Sequence, residues 1–188
     1  MKLPPDAVLM AIDLQRAIDD PRWGPHNNPG CEAAVAALLA AWRARAMPIL
    51  HIRHDSREPG SSYRPGQPGH AFKPETAPRE GEHVIDKATN SAFIGTGLEA
   101  LLRARGWTTL VVTGVLTNNS VEATVRMAGN LGFETYVVGD GCFAVDKRDL
   151  AGELHPAARV HALALANMHG EYAQVVTSTQ VLAALVPV

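Results

Sequence analysis

Five apolar runs of strand length recur along the chain, separated by longer segments of mixed polarity. They are too uniformly apolar to leave one face in water, which is typical of parallel strands that are buried on both faces. The five runs are Ala7–Ile12, Pro48–Ile52, Thr109–Thr113, Thr135–Val138 and Ala173–Val176. A shorter run, His83–Ile85, predicts a sixth strand.

The segments between these runs carry apolar residues three and four positions apart, as amphipathic helices do. The predicted helices are Cys31–Ala46, Gly97–Arg105, Ser120–Leu131, Leu154–Ala166 and Thr179–Leu185. Strands that alternate with helices form parallel sheets through right-handed crossovers, and the helices cover both faces of the sheet. We therefore predict an α/β fold, a three-layer α/β/α sandwich around a mainly parallel sheet of about six strands.

The chain length is sufficient for one sizeable hydrophobic core. With 188 residues, of which 46% are apolar, we predict a single domain over residues 1–188. The segment from Asp55 to Glu82 is rich in Pro, Gly and charged residues and is longer than an ordinary connection. Such loops commonly act as lids or as arms at an interface.

Charge and composition narrow the class of partner. The formal net charge is −2 and no run of Lys or Arg is present, which argues against a nucleic-acid or membrane surface and favours a small-molecule substrate. No apolar stretch approaches the roughly 20 residues of a membrane span, and the N-terminus lacks the apolar segment of a signal peptide. We expect a soluble, cytoplasmic protein. Cys31 and Cys142 have no metal-binding spacing and are expected to be structural thiols.

Reactive residues follow three of the predicted strands. Asp13 closes the first strand, Lys87 follows the short sixth strand, and Thr117–Ser120 joins the run Thr109–Thr113 to the next helix. Ligands of open parallel sheets bind beyond the carboxyl ends of the strands. Taken singly, Asp13 also fits a turn and Lys87 a solvated surface, but together the three positions predict one pocket.

The segment from Val112 to Thr124 is a more specific sign of function than Asp13 or Lys87 alone. Here the sequence resembles the isochorismatase-like cysteine hydrolases, which include nicotinamidases and other small amidases. The matching motifs span nearly the whole chain. They are Ile12–Gln15, Asp86–Lys87, Ser91–Phe93, the block from Thr113 to Gly129, Val138–Asp140 and Met168–Glu171. The resemblance implies an isochorismatase-like fold and a site in which an aspartate and a lysine flank a nucleophilic cysteine.

The resemblance assigns the catalytic positions to Asp13, Lys87 and residue 120, where this chain carries Ser120 instead of cysteine. It also implies a cis peptide bond between Val115 and Leu116, with the N–H groups of Leu116 and Ser120 forming an oxyanion hole. A thiol at a helix N-terminus beside an ammonium group has a lowered pKa and reacts as thiolate. A serine hydroxyl is far less acidic, so we expect acyl transfer to be impaired.

These residues predict a hydrolase of a small amide, imide or related C–N bond, with a site that a Cys→Ser exchange has inactivated. Two alternatives stay open. One is hydrolysis of the vinyl ether of isochorismate, which uses Asp13 as an acid and needs no cysteine. The other is a non-catalytic homologue that only binds ligand. We expect no cofactor. Relatives in this family commonly form dimers or tetramers, so the resemblance implies a homodimer or homotetramer.

Further polar and aromatic residues are candidates for the substrate pocket. They are Gln15, Trp23, His54, Phe93 and Asn118, although each also fits a core or turn role. His51, His54 and Asp55 suggest a metal site, and nicotinamidase relatives bind a metal after this strand. The Asp-x-His spacing of those relatives is missing here, so we predict no catalytic metal.

Overall fold

The computed structural model describes residues 3–185 and contains a six-stranded parallel sheet. Its strands are β1 (Val8–Ile12), β2 (Ile49–His54), β3 (His83–Lys87), β4 (Thr109–Val115), β5 (Glu134–Phe143) and β8 (Gln174–Val176). Strands β6 (Lys147–Arg148) and β7 (Leu154–His155) form a separate two-stranded sheet. The strands of the large sheet lie in the order β3-β2-β1-β4-β5-β8. Every pair of neighbours is parallel, so the predicted sheet of about six strands is confirmed.

In the described part of the chain, residues 3–185, five α-helices cover the two faces of the sheet. They are α1 (Cys31–Arg43), α2 (Leu98–Arg105), α3 (Glu122–Asn130), α4 (Ala157–Met168) and α5 (Ser178–Ala184). One core cluster joins the sheet to α1 and α5, with Trp42 fully buried at its centre. A second cluster joins the opposite face to α2 and α3 through residues such as Leu102 and Val125. The three-layer α/β/α sandwich is therefore confirmed.

Two predicted helices begin later than expected. Leu154 and His155 pair with Lys147 and Arg148 in a short antiparallel hairpin (β6, Lys147–Arg148; β7, Leu154–His155), and α4 begins only after Pro156. The helix predicted over Ser120–Leu131 begins only at Glu122, because a π-helical turn, Thr117–Val121, precedes α3. Ser120 lies within this turn and is buried.

Strand β5 extends beyond the predicted limit of Val138. Two glycines, Gly139 and Gly141, made the following residues resemble a loop, but a shift of register lets Cys142 and Phe143 pair with the end of β4. Tight contact between β4 and β1 accompanies the shift. A Cβ on Gly114 would lie 2.1 Å from the Ile12 carbonyl oxygen, and its φ of +121° is accessible to glycine.

The segment between β2 and β3 is irregular and carries two short 3₁₀ turns, Pro68–His70 and Pro74–Thr76. Its backbone is held at one point by Gln15, which forms a bridge with Phe72. Arg43 holds its far end through two bonds to Glu82, the shorter measuring 2.6 Å. Within residues 3–185, no helix has both the length and the apolar character that a membrane crossing requires.

Candidate active site

Asp13 leaves the end of β1 in a conformation that points its side chain into the sheet edge. Its φ of 53° lies in the left-handed region that non-glycine residues seldom adopt, and aspartate is one of the few that tolerate it. Its N–H donates to the Ile52 carbonyl oxygen at 2.9 Å, which fixes the turn against β2. The side chain is 5% exposed, so its carboxylate is enclosed by protein.

Lys87 is the last residue of β3 and reaches back under the neighbouring strand ends. Its ammonium group donates to Asp13 Oδ2 at 2.7 Å, to Ser120 Oγ at 3.1 Å and to the Thr89 carbonyl oxygen at 3.1 Å. The side chain is fully buried. Such burial of a cation is sustained only by close anionic and hydrogen-bonding partners, which Asp13, Ser120 and Thr89 supply.

Ser120 lies in the π-helical turn that connects β4 to α3. Ser120 is 5% exposed, and it lines a cavity of ≈ 210 Å³ that Asp13 also lines. The turn therefore presents the hydroxyl to the same space as the carboxylate. The structure thus brings the three predicted catalytic residues, Asp13, Lys87 and Ser120, to one end of the sheet.

Several segments of the chain form the wall of the cavity. The β4–π turn contributes Val115, Leu116 and Asn119, and the peptide bond between Val115 and Leu116 is cis, as the resemblance implies. The opposite wall comes from the loop after β1, the end of β2 and the segment that follows it. Its residues are Ile18, Trp23, His54, Ser56, Glu58, Ser61 and Tyr63, with Asn90 completing the lining.

Two of the five predicted pocket residues line this cavity. His54 places Nδ1 3.3 Å from Lys87 Nζ, and its ring packs edge-on against Tyr63. Trp23 is fixed because its indole N–H donates to the Ala17 carbonyl oxygen at 3.0 Å, and its ring stays partly exposed. Both side chains are therefore held in place before any ligand binds.

The other three predicted pocket residues lie outside the lining. Gln15 is completely buried and its amide bonds the backbone of His54 and His70, which leaves no group for a ligand. Phe93 stacks on Phe133 beside the second core cluster. Asn118 lines two other hollows, one bordered by α4 and one that adjoins the cavity and shares Leu116 and Asn119 with it.

Burial sets the electrostatics of the site. It raises the pKa of Asp13, and the charge and hydrogen bond of Lys87 act in the opposite direction. Burial also lowers the pKa of His54, and the positive charge of Lys87 lowers it further. His54 is therefore neutral near pH 7. Among residues 3–185, the buried Asp13 Oδ1 has no hydrogen-bond partner, so one carboxylate oxygen keeps its capacity to accept a proton.

The three residues considered for a metal after β2 do not converge. His51 Nε2 bonds Glu82 at 2.8 Å, Asp55 bonds His70 at 2.6 Å, and His54 faces Lys87. A cation between them would meet an ammonium group, so this set does not fit the metal site of nicotinamidase relatives.

Both cysteines are buried and lie outside the cavity. Burial raises the pKa of Cys142 to about 12 and also raises the pKa of Cys31 strongly. Neither thiol is poised to act as a nucleophile at neutral pH.

Sequence reasoning missed the contribution of the segment after β2. Tyr63 is buried against the site with its hydroxyl 3.5 Å from the Asp13 carbonyl oxygen, and Ser56, Glu58 and Ser61 complete the same wall. The length of the Asp55–Glu82 segment signalled a functional loop. No local pattern identified which of its residues turn inward, since that depends on contacts with β1 and Trp23.

Comparison with known proteins identifies the family and the fold of this chain. The profile of the Isochorismatase domain matches residues 7–180. One match is the crystal structure of a hydrolase from Chromobacterium violaceum that is assigned to the isochorismatase family, and its sequence is 62% identical. The match covers 98% of this chain and 96% of that protein, and the two structures superpose with a TM-score of 0.96.

Two bacterial relatives extend the match, one uncharacterised and one of stated activity. The uncharacterised isochorismatase family protein YrdC of Bacillus subtilis is 38% identical over 93% of each chain. Maleamate amidohydrolase of Pseudomonas putida is 31% identical over 90% of this chain and 82% of its own length. The profile, the shared fold and these relatives agree, and the chain belongs to the isochorismatase family of hydrolases.

Proposed function

We propose that this chain carries the site of a small-amide hydrolase that works by acyl transfer at position 120. The observation that carries the proposal is the position of Lys87 Nζ, bonded to both Asp13 Oδ2 and Ser120 Oγ beside one cavity. An acid–base group, a cation and a nucleophile's position thus meet at the wall of a space that fits a small substrate. The similarity to an amidohydrolase supports a C–N bond as the target.

The reaction begins when the group at position 120 attacks the amide carbonyl carbon and its proton passes to Asp13. The oxyanion that forms is held by the N–H groups of Leu116 and residue 120. Asp13 then returns the proton to the leaving nitrogen as the C–N bond breaks. Water finally attacks the acyl-enzyme and gives its proton to Asp13, which returns it to the side chain at position 120 as the acyl bond breaks and the acid is released.

The residue at position 120 limits the first step. An ammonium group 3.1 Å from the oxygen stabilises an anion there, but a hydroxyl is still a much weaker acid than a thiol. Burial strengthens Asp13 as a base by raising its pKa. Even so, a carboxylate is a weak base toward serine, so we propose that Ser120 holds the amidase activity far below that of a cysteine at this position.

Hydrolysis of isochorismate is the second candidate, because the raised pKa of Asp13 also suits an acid that protonates a vinyl ether. The charge of the wall does not favour it. Isochorismate is a dianion, whereas the uncompensated charge of the cavity wall is the exposed carboxylate of Glu58. Isochorismate turnover that is abolished in Asp13→Ala would support this chemistry, and turnover that survives the change would exclude it.

The test of the amidase proposal is Ser120→Cys. We expect the variant to hydrolyse members of a panel of small primary amides, measured as ammonia release, with kcat/KM at least about tenfold above the parent, which corresponds to about 1.4 kcal/mol of barrier. Acylated protein should appear by intact mass spectrometry. Because Cys31 and Cys142 are buried, alkylation with iodoacetamide should modify only the new thiol.

Two controls make the result decisive. Ser120→Ala removes the nucleophile and should abolish hydrolysis while the fold remains intact by circular dichroism. Ser120→Cys with Asp13→Asn should keep the thiol but lose turnover, since no group accepts its proton. If Ser120→Cys folds and hydrolyses no amide of the panel, the chain is not an amidase and the proposal fails.

A further inference from the structure

Glu58 differs from the other charged residues of the cavity because its carboxylate forms no ion pair within residues 3–185. Its N–H donates to Ser56 Oγ at 3.2 Å and its carbonyl oxygen accepts from the Ser61 N–H at 3.1 Å, so the backbone of the residue is fixed on both sides. The side chain lines the cavity in an exposed position.

The other ionisable groups of the wall leave this charge unbalanced. Asp13 is neutralised by Lys87 at 2.7 Å, and that ammonium group is fully buried behind the carboxylate. His54 is neutral near pH 7, because burial and the charge of Lys87 lower its pKa. A ligand in the cavity therefore meets one uncompensated charge, the negative charge of Glu58.

The surroundings of Glu58 also suit a positive group. Trp23 lines the same cavity, and the face of an indole ring attracts ammonium and guanidinium groups. Trp23, Glu58 and Ser61 also border a second hollow of ≈ 270 Å³ next to the cavity. Arg22 lines that hollow, but its guanidinium group is already paired with Asp20 at 2.6 Å.

From this arrangement we infer that Glu58 determines substrate specificity and selects small amides that carry a cationic amino group on the side remote from the reacting bond. The carbonyl group lies against residue 120, and the ammonium group is held between the Glu58 carboxylate and the Trp23 indole. The inference rests on the proposed amidase function for the reaction, but it makes a separate claim about binding. Anionic amides of the same size are excluded by repulsion from Glu58.

Three primary amides of similar length test the charge directly: 3-aminopropanamide with an ammonium end, butanamide with a methyl end and succinamate with a carboxylate end. Binding is measured on the parent chain, with Ser120 in place, by titration calorimetry and by tryptophan fluorescence. We expect the ammonium compound to bind about tenfold more tightly than butanamide, as for a charge-assisted contact at a partly exposed site. Succinamate should bind more weakly than butanamide.

The variants Glu58→Gln and Glu58→Lys identify the residue responsible. The first should remove the preference for the ammonium compound, and the second should reverse it in favour of succinamate. Glu80→Gln is the matched control, since Glu80 is an exposed glutamate of the same segment that does not line the cavity. Raising the salt concentration should weaken the preference of the parent and leave butanamide unaffected.

The two proposals fail in different ways. Equal or undetectable binding of the three compounds to the parent, or a preference that persists in Glu58→Gln, overturns the role of Glu58. A preference that follows Glu58 while Ser120→Cys hydrolyses none of the compounds leaves the specificity inference standing and overturns the amidase function. In an active Ser120→Cys background, Glu58→Gln should raise KM for 3-aminopropanamide and leave kcat nearly unchanged, because Glu58 lies away from the reacting atoms.

Discussion

Lys87 shows how one side chain can organise a site. Its ammonium group has no exposed surface. It donates hydrogen bonds to a carboxylate, a hydroxyl and a carbonyl oxygen that come from three different parts of the chain. A cation buried in this way stabilises the arrangement of its partners more than it stabilises the fold.

Lys87→Met tests this description at the scale of the residue. The change leaves the Asp13 carboxylate buried without a counter-charge, so the free energy of unfolding should fall by about 3–5 kcal/mol, as it does for broken buried pairs. Urea denaturation at pH 7 measures it. Combining Lys87→Met with Asp13→Asn should restore much of the loss, because no charge stays buried. A double variant as unstable as the single one would contradict the pairing.

The segment between β2 and β3 is the element whose position depends most on single contacts. Glu82 ends it by bonding Arg43 of α1, the N–H of Arg79 and His51 of β2. Burial raises the pKa of Glu82, but these bonds lower it by more, so that the pKa is about 2. The carboxylate thereby pins the start of β3 against the first helix. The wall formed by Ser56–Tyr63 lies on the segment held in this way.

Acid should therefore loosen the segment. The folded pKa of Glu82 lies below its ordinary value of 4.5, so its contribution to stability is complete above that value and is lost as the pH falls toward 2. We expect Glu82→Gln to lower the free energy of unfolding by about 2 kcal/mol at pH 7. The difference from the parent should shrink between pH 5 and pH 3. Glu80→Gln serves as the exposed control, and a gap independent of pH would contradict this account.

At the scale of the whole molecule, the sheet brings the site together through its strand order. β1 lies between β2 and β4, so the residues that follow β1 and β4 face one another, and β3 approaches from beyond β2. The close contact between β1 and β4 at Gly114 is part of this geometry. A methyl group there would meet the backbone of Ile12 rather than a movable side chain.

Gly114→Ala should therefore disturb the centre of the sheet. The added Cβ would lie 2.1 Å from the Ile12 carbonyl oxygen and 2.6 Å from its nitrogen, so β1 and β4 must separate. We expect a loss of about 4 kcal/mol or a marked fall in soluble yield, assessed by thermal denaturation. At Gly60 an added Cβ meets nothing within 4 Å, so Gly60→Ala is the matched control. Equal Tm values for the two variants would refute the steric account.

The sequence by itself determined the order and type of the main elements and the strand ends that hold Asp13, Lys87 and Ser120. These features depend on local periodicity and on the rule that loops after parallel strands share one edge. Element limits were less certain, because the glycines of β5 and the π-helical turn before α3 take conformations that neighbouring strands impose.

Only the tertiary structure decided which side chains face the cavity. Gln15 was a reasonable polar candidate, but its amide is consumed by the backbone of His54 and His70. Tyr63 and Glu58 reach the wall from a segment without periodicity, positioned by contacts between residues up to 50 positions apart in the chain. Contacts at that separation depend on how the layers pack. The local pattern of polar and apolar residues therefore does not predict them.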